Sequence, residues 1–206
     1  MPVPKIIHRI WIQGSPLMPA AFTRNGLRWV QLNPEWQLRH WTVPDFQLAN
    51  AALYRRPIAS DPHRCRADVL RLEILLRYGG LYVDMDIEPL RPIDELLQGH
   101  EAVAAWSPNR WKGERILSNA FLAAVPEHPW IVRCVEKMAV SVELYRGQFL
   151  AMVTGPHHVH RCLEPTDQVH LLEPAAVYPT SIAELADAYA FHAWANRAKL
   201  TREALV

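Results

Sequence analysis

Apolar positions along the 206-residue chain fall into short runs set apart by prolines and polar clusters. Lys5–Ile12, with five apolar residues in eight, reads as a buried strand. Ala20–Asn33 has helical spacing and stops at Asn33-Pro34, where proline removes a backbone donor and restricts the residue before it. Trp36–Trp41 reads as a second strand, and the stretch from Asp45 to His63 as short helices and loops around Pro57 and Pro62. From Asp68 to Tyr78, the apolar face formed by Val69, Leu70, Leu72, Ile74, Leu75 and Leu76 predicts an amphipathic helix. Gly79-Gly80 predicts its stop, because glycine enters the left-handed backbone region without a Cβ clash. Leu81-Tyr82-Val83 follows as a buried strand that runs out at Asp84.

Downstream the pattern predicts a helical turn at Ile93–Leu97 and a strand at Ala102–Trp106, with Ser107–Arg115 as a polar and basic loop over the site. A single helix is predicted over Pro129–Val142, a Gly/Pro/His loop over Gly155–His160, and a further helical segment over Ile182–Ala190. Strands alternating with helices predict an α/β fold on a mixed, largely parallel sheet. With no repeat, low-complexity tract or linker, residues 1–206 read as a single domain.

The chemistry concentrates where the central strand ends. Alternation places Asp84 and Asp86 on the same side, and two carboxylates so placed repel. A hard divalent cation relieves that repulsion and commonly bridges to phosphate oxygens. The carboxyl ends of strands are also where open α/β sheets bind ligands. A bare Asp-X-Asp is more often a solvated turn; the helix, the Gly-Gly stop and the apolar strand argue against that here. Asp68 and Arg71, three apart, share one side of the helix. Trp11 either offers a flat face to a nucleobase or packs in the core. His8, on the face of Ile10 and Ile12, reads as a satisfied core histidine. His157-His158-x-His160 lacks the spacing of a known metal site and reads as a solvated loop, and Cys134 reads as a small core residue.

Composition narrows the function classes. Against 22 basic residues stand 21 acidic ones, a net charge of +1, so no bulk electrostatic case for nucleic acid exists. Three cysteines without paired spacing fit a reducing compartment and argue against a disulfide framework. No secretory leader is evident, and no apolar run approaches the roughly 20 residues that span a bilayer. The expectation is a cytoplasmic location or one peripheral to the membrane, with no transmembrane segment and an oligomeric state the sequence leaves open.

The central block, Ala67-Asp68-x-x-Arg71 through Asp84-Met-Asp86, resembles the DXD-containing sugar transferases of glycosyltransferase family 32. Their relatives include capsular polysaccharide and mannosyl transferases and the glucosylating domains of large clostridial toxins. The opening Pro4-Lys-Ile-Ile-His8-Arg-Ile-Trp11-Ile-Gln-Gly14 is similar to the family's first strand. Asn119-Ala-Phe-Leu-Ala-Ala-x-Pro-x-His128-Pro129 and Thr154-Gly155-Pro156 resemble two later segments.

The resemblance implies a GT-A fold and a retaining, metal-dependent transfer from a UDP- or GDP-sugar, with Mn2+ or Mg2+ as cofactor. It implies Asp86 as a direct metal ligand and Asp84 at the ribose and the metal's water shell. Asp68 and Arg71 would hold donor-sugar hydroxyls, with Trp11 and Ile10 at the base and Asn119 near the donor. Phe191-His192-Ala-Trp194-Ala-Asn196 resembles the family's C-terminal element, which implies His192 as third metal ligand and Trp194 as a lid. The serine and tryptophan that usually follow are replaced here by residues such as Arg197 and Ala198. The implied acceptor is a glycan, a lipid-linked saccharide or a protein, in a bacterial-type enzyme of cell-surface polysaccharide assembly. Three other readings stay open: a nucleotide-sugar-binding protein without turnover, a metal-dependent phosphohydrolase built on an aspartate pair, and a purely structural domain.

Overall fold

A mixed six-stranded sheet runs through the centre of the computed structural model, which describes residues 1–58 and 61–192. In chain order the strands are β1 (Ile6–Ile10), β2 (Gln37–Trp41), β3 (Gly80–Val83), β4 (Ile87–Pro89), β5 (Ala102–Trp111), β6 (Glu114–Ala124), β7 (Val169–Leu172) and β8 (Ala190–His192). The large sheet has the order β2-β1-β3-β6-β5-β7, and β4 pairs with β8 as a separate ribbon. Pairings β1/β2, β1/β3 and β5/β7 are parallel, whereas β6 runs antiparallel to both of its neighbours. The expected mixed, largely parallel sheet is therefore present.

Both faces of this sheet are covered, which is why its strands are nearly continuous apolar runs. Leu81 and Val83 point into one core with Trp29, Val103 and Phe121. Tyr82, between them, points into the other with Leu70, Leu72, Ala104 and Leu122. Helix α1 (Ala20–Leu32) contributes Trp29 to the first core, and α2 (Ala51–Arg55) packs against α3 (Pro62–Tyr78) on the second side. Helix α3 begins earlier than the apolar stripe alone predicts. Asp61 caps it by accepting from the Arg64 backbone N–H at 3.1 Å, and Pro62 occupies the first turn, where its missing N–H costs nothing. The helix ends as expected, with Gly79 at φ 60° and Gly80 at φ 93°. A Cβ on Gly80 would lie 2.5 Å from the Ile6 carbonyl, so glycine is what lets β3 close against β1.

The remaining helices are α4 (Asp94–Leu97), α5 (Pro129–Glu136), α6 (Met138–Leu144), α7 (Leu150–Val153), α8 (Pro156–Arg161) and α9 (Ile182–Leu185). Four expectations are corrected. The loop expected over Ser107–Arg115 is the end of a β-hairpin, because Lys112 (φ 48°) and Gly113 (φ 86°) form a tight two-residue turn whose backbone suits twisted strands. The helix expected over Pro129–Val142 is two, α5 and α6, parted at Lys137. The Gly/Pro/His segment is α8, started by Pro156, and it buries His157 and His158 rather than solvating them. The helical segment expected to reach Ala190 stops at Leu185, and β8 follows.

Candidate active site

Strand β3 is the central element here, because it delivers the acidic pair to the carboxyl edge of the sheet. Asp84 and Asp86 do not continue the strand. They sit on a tight turn closed by the Ile87 N–H donating to the Asp84 carbonyl at 3.1 Å, so the turn rather than strand alternation brings them to one side. Arg9 fixes this turn from below. It is fully buried on β1, donates from Nη2 to the Met85 carbonyl at 2.6 Å and from Nη1 to the Phe22 carbonyl at 2.9 Å. Burial pushes its guanidinium down to about 10, still charged at neutral pH. Nothing in the sequence pattern marked Arg9, since a charged residue within a buried strand carries no periodic signal.

Arg71 ties the helix to the turn. Its Nη2 lies 3.0 Å from Asp68 Oδ1 and its Nη1 3.0 Å from Asp84 Oδ1, while Nη1 also donates to the Asn119 carbonyl. Its guanidinium carbon stands 4.5 Å from the centre of the Tyr82 ring. Burial opposes the charge on Arg71, but Tyr82, Asp84 and Asp68 outweigh it and the net shift is upward. The Tyr82 hydroxyl donates to Asp84 Oδ1 at 2.6 Å, and burial holds that phenol well above its ordinary value. Two donors, Arg71 and Tyr82, thus share Oδ1 of Asp84.

Asp68 is held on both oxygens. Asn119 Nδ2 donates to Oδ1 at 2.9 Å and Thr154 Oγ1 donates to Oδ2 at 2.9 Å. Burial pushes this carboxyl upward, against the opposing pull of Arg71 and Thr154. Asn119 comes from β6 and converges on the same carboxylate as Arg71.

His192 arrives from the far end of the described chain. The β4/β8 ribbon sets Ile87 opposite His192, which places its Nε2 3.3 Å from Asp86 Oδ1. One ligand atom from each of Asp84, Asp86 and His192 lies within 4.8 Å of the others. Two carboxylate oxygens and an imidazole nitrogen fit a hard-to-borderline divalent cation such as Mn2+ or Mg2+. Behind them the buried Tyr178 donates to Ser118 Oγ at 2.8 Å and stacks edge-on to His192. Neither Ser118 nor Tyr178 carried a motif that pointed to the site.

Two clefts meet at this cluster. One, of about 280 Å3, runs along the end of β1 and is lined by Ile10, Trp11, Phe22, Asp68, Arg71 and Asp84, among others. Trp11 is half-buried there, donating from Nε1 to the Gly14 carbonyl at 3.0 Å and set edge-on to Phe22. The other, of about 510 Å3, runs beneath the β5–β6 hairpin past Ser118, His157, Tyr178 and His192. Arg64, Asp84, Asp86, Asn119, Ala151 and Pro156 line both. His8 takes no part. It is buried between the Gly79 carbonyl and the Trp41 indole, the satisfied core histidine its sequence position suggests. Cys134 is likewise buried and free, and Trp194 lies outside the described residues.

Residues 24–103 match the family model described as the glycosyltransferase sugar-binding region containing the DXD motif. Inositol phosphoceramide mannosyltransferase 3 of Schizosaccharomyces pombe is 28% identical over 160 residues, covering 75% of this chain and 43% of that protein. The chain therefore spans less than half the length of that relative. Among solved structures, the PaToxG glycosyltransferase superposes with a TM-score of 0.63 at 18% identity, over 79% of this chain and 69% of its own. The catalytic domain of alpha-toxin from Clostridium novyi superposes with a TM-score of 0.56 at 10% identity, over 70% of this chain and 59% of its own. The fold is of the GT-A type.

Proposed function

We propose that this chain, which carries the sugar-binding region of the DXD-type glycosyltransferases, transfers a sugar from a nucleoside diphosphate-sugar to an acceptor hydroxyl with retention of configuration. The observation that carries this reading is the convergence of Asp84, Asp86 and His192 at the seam of two clefts. A donor fits the first cleft with its base against Trp11 and Ile10 and its diphosphate at the acidic turn. A divalent cation held by Asp86, Asp84 and His192 would stabilise the charge on the leaving diphosphate as a Lewis acid. Arg71 offers a rigid fork to the donor, and with Asp68 and Asn119 it orients the sugar's hydroxyls. The acceptor enters along the second cleft.

In the transfer, the bond from the anomeric carbon to the diphosphate oxygen breaks and a bond to the acceptor oxygen forms. The acceptor's proton passes to the departing diphosphate. Front-face attack suits this site, since Asp68 is held by three side chains and Asp61 caps a helix, so neither stands free as a nucleophile. The name of the S. pombe relative favours mannose as the transferred sugar, from a UDP- or GDP-sugar donor. The acceptor is a glycan, a lipid-linked saccharide or a protein hydroxyl, in cell-surface polysaccharide assembly.

The experiment is donor hydrolysis against a panel of UDP- and GDP-sugars with manganese, with chelator, and in Asp86→Ala and His192→Ala. Turnover of one donor that is lost with chelator and in Asp86→Ala, and weakened in His192→Ala, supports the reading and names the sugar. Metal-dependent binding without turnover, even with acceptors supplied, would leave a binding protein in its place.

A further inference from the structure

Among the described residues two large aromatic side chains are exposed, Trp111 and Phe149, and they touch, with ring centroids 5.1 Å apart. Trp111 sits at the turn of the β5–β6 hairpin and Phe149 just before α7. Both lie edge-on to His157, at 5.1 and 6.1 Å, and His157 lines the second cleft. The aromatic pair therefore packs against a residue of the cleft into which the acceptor is proposed to enter.

Its surroundings favour one kind of partner. Arg110 and Lys112 flank Trp111, and neither forms an ion pair among the described residues; Arg110 only donates to the Gly113 carbonyl. Glu114, opposite Trp111 in the register, is the one acidic side chain of the turn. An exposed aromatic pair flanked by two cations marks an interaction surface. A saccharide platform would need the rings but not the two cations beside them. Tryptophan beside arginine and lysine at a turn is the chemistry that lies in a headgroup layer, with rings at the hydrocarbon boundary and cations on anionic lipid.

We propose that Trp111, Phe149, Arg110 and Lys112 form a docking face for an anionic lipid membrane, which turns the second cleft toward acceptors held at that surface. The acceptor part rests on the transferase reading; the docking itself does not.

Cosedimentation with vesicles of phosphatidylcholine alone, and with about a third phosphatidylserine, tests it. The full chain is expected to bind the anionic vesicles and leave the neutral ones. The double variants Arg110→Glu/Lys112→Glu and Trp111→Ala/Phe149→Ala are each expected to lower the bound fraction about tenfold. Donor hydrolysis without vesicles is expected to stay at the parent rate in both, so a failure of turnover reports on the transferase reading and not on docking. No binding of the parent to anionic vesicles overturns the proposal, as does unchanged binding of both variants. Release of the bound chain by a soluble saccharide also overturns it, and would assign the aromatic pair to sugar stacking.

Discussion

Thr154 donates its hydroxyl hydrogen to Oδ2 of Asp68 at 2.9 Å, tying the start of the α7–α8 turn to a carboxylate on the middle of α3. Both groups are buried, so the bond operates where an unmade one is costly. It also works against the upward pull that burial exerts on Asp68.

Thr154→Val keeps the shape and removes the donor. The variant is expected to lose about 1–3 kcal/mol of stability, the cost of leaving a buried acceptor unsatisfied. Asp68 then titrates at a higher pH than in the parent, because a bond that favours its charged form is gone. The acid limb of donor hydrolysis is therefore expected to move upward in pH. A pH profile of the variant superimposable on the parent's would mean that Asp68 does not depend on Thr154 for its charge.

Arg71 bridges Asp68 and Asp84 from two different nitrogens, a geometry that only a planar fork provides. Arg71→Lys keeps one positive charge but can reach one carboxylate at a time, leaving the other without its cationic partner. The expected cost approaches the roughly 3–5 kcal/mol of a broken buried pair. It is read as a lowered urea midpoint, with donor turnover reduced in the same variant. Full stability in Arg71→Lys would show that charge, and not the fork, holds this corner.

The acidic turn, its preceding helix and the glycine stop were legible in the sequence because each obeys a local rule. An apolar stripe makes α3, positive φ makes Gly79-Gly80, and β3 exhausts itself at Asp84. What the sequence hid is what depends on distant chain. Arg9 under Met85, Thr154 on Asp68 and Tyr178 behind His192 are single residues whose partners lie far along the chain and leave no periodic trace. The His157 segment misled for a related reason. Its polarity argued for solvent, but Pro156 starts a short helix, and burial there follows from packing against β6. The hairpin was missed because Arg110, Lys112 and Gly113 look like loop composition, while left-handed Lys112 and Gly113 make the turn that extends the strands.

His8 supplies a dependence of stability on pH that is separate from the site. Its Nδ1 accepts from the Trp41 indole at 3.1 Å, so Nε2 carries the hydrogen that it donates to the Gly79 carbonyl at 2.9 Å. Protonating Nδ1 would cost the Trp41 bond and place a charge in the core, and burial lowers this imidazole from 6.5 to about 4. The folded state thus holds His8 neutral at pH values where the unfolded chain protonates it, so the unfolded chain binds more protons between those limits. Stability from this group is fully present above pH 6.5 and is lost as pH falls toward about 4. At 1.36 kcal/mol per unit the loss is of the order of 3 kcal/mol. Urea midpoints of the parent are expected to fall steeply across that window, ahead of any change in carboxylate pairing. His8→Gln, which has no titrating ring, is expected to start lower at neutral pH and to follow a flatter line. Parallel lines for the two proteins would mean that the histidine is not the source of the acid sensitivity.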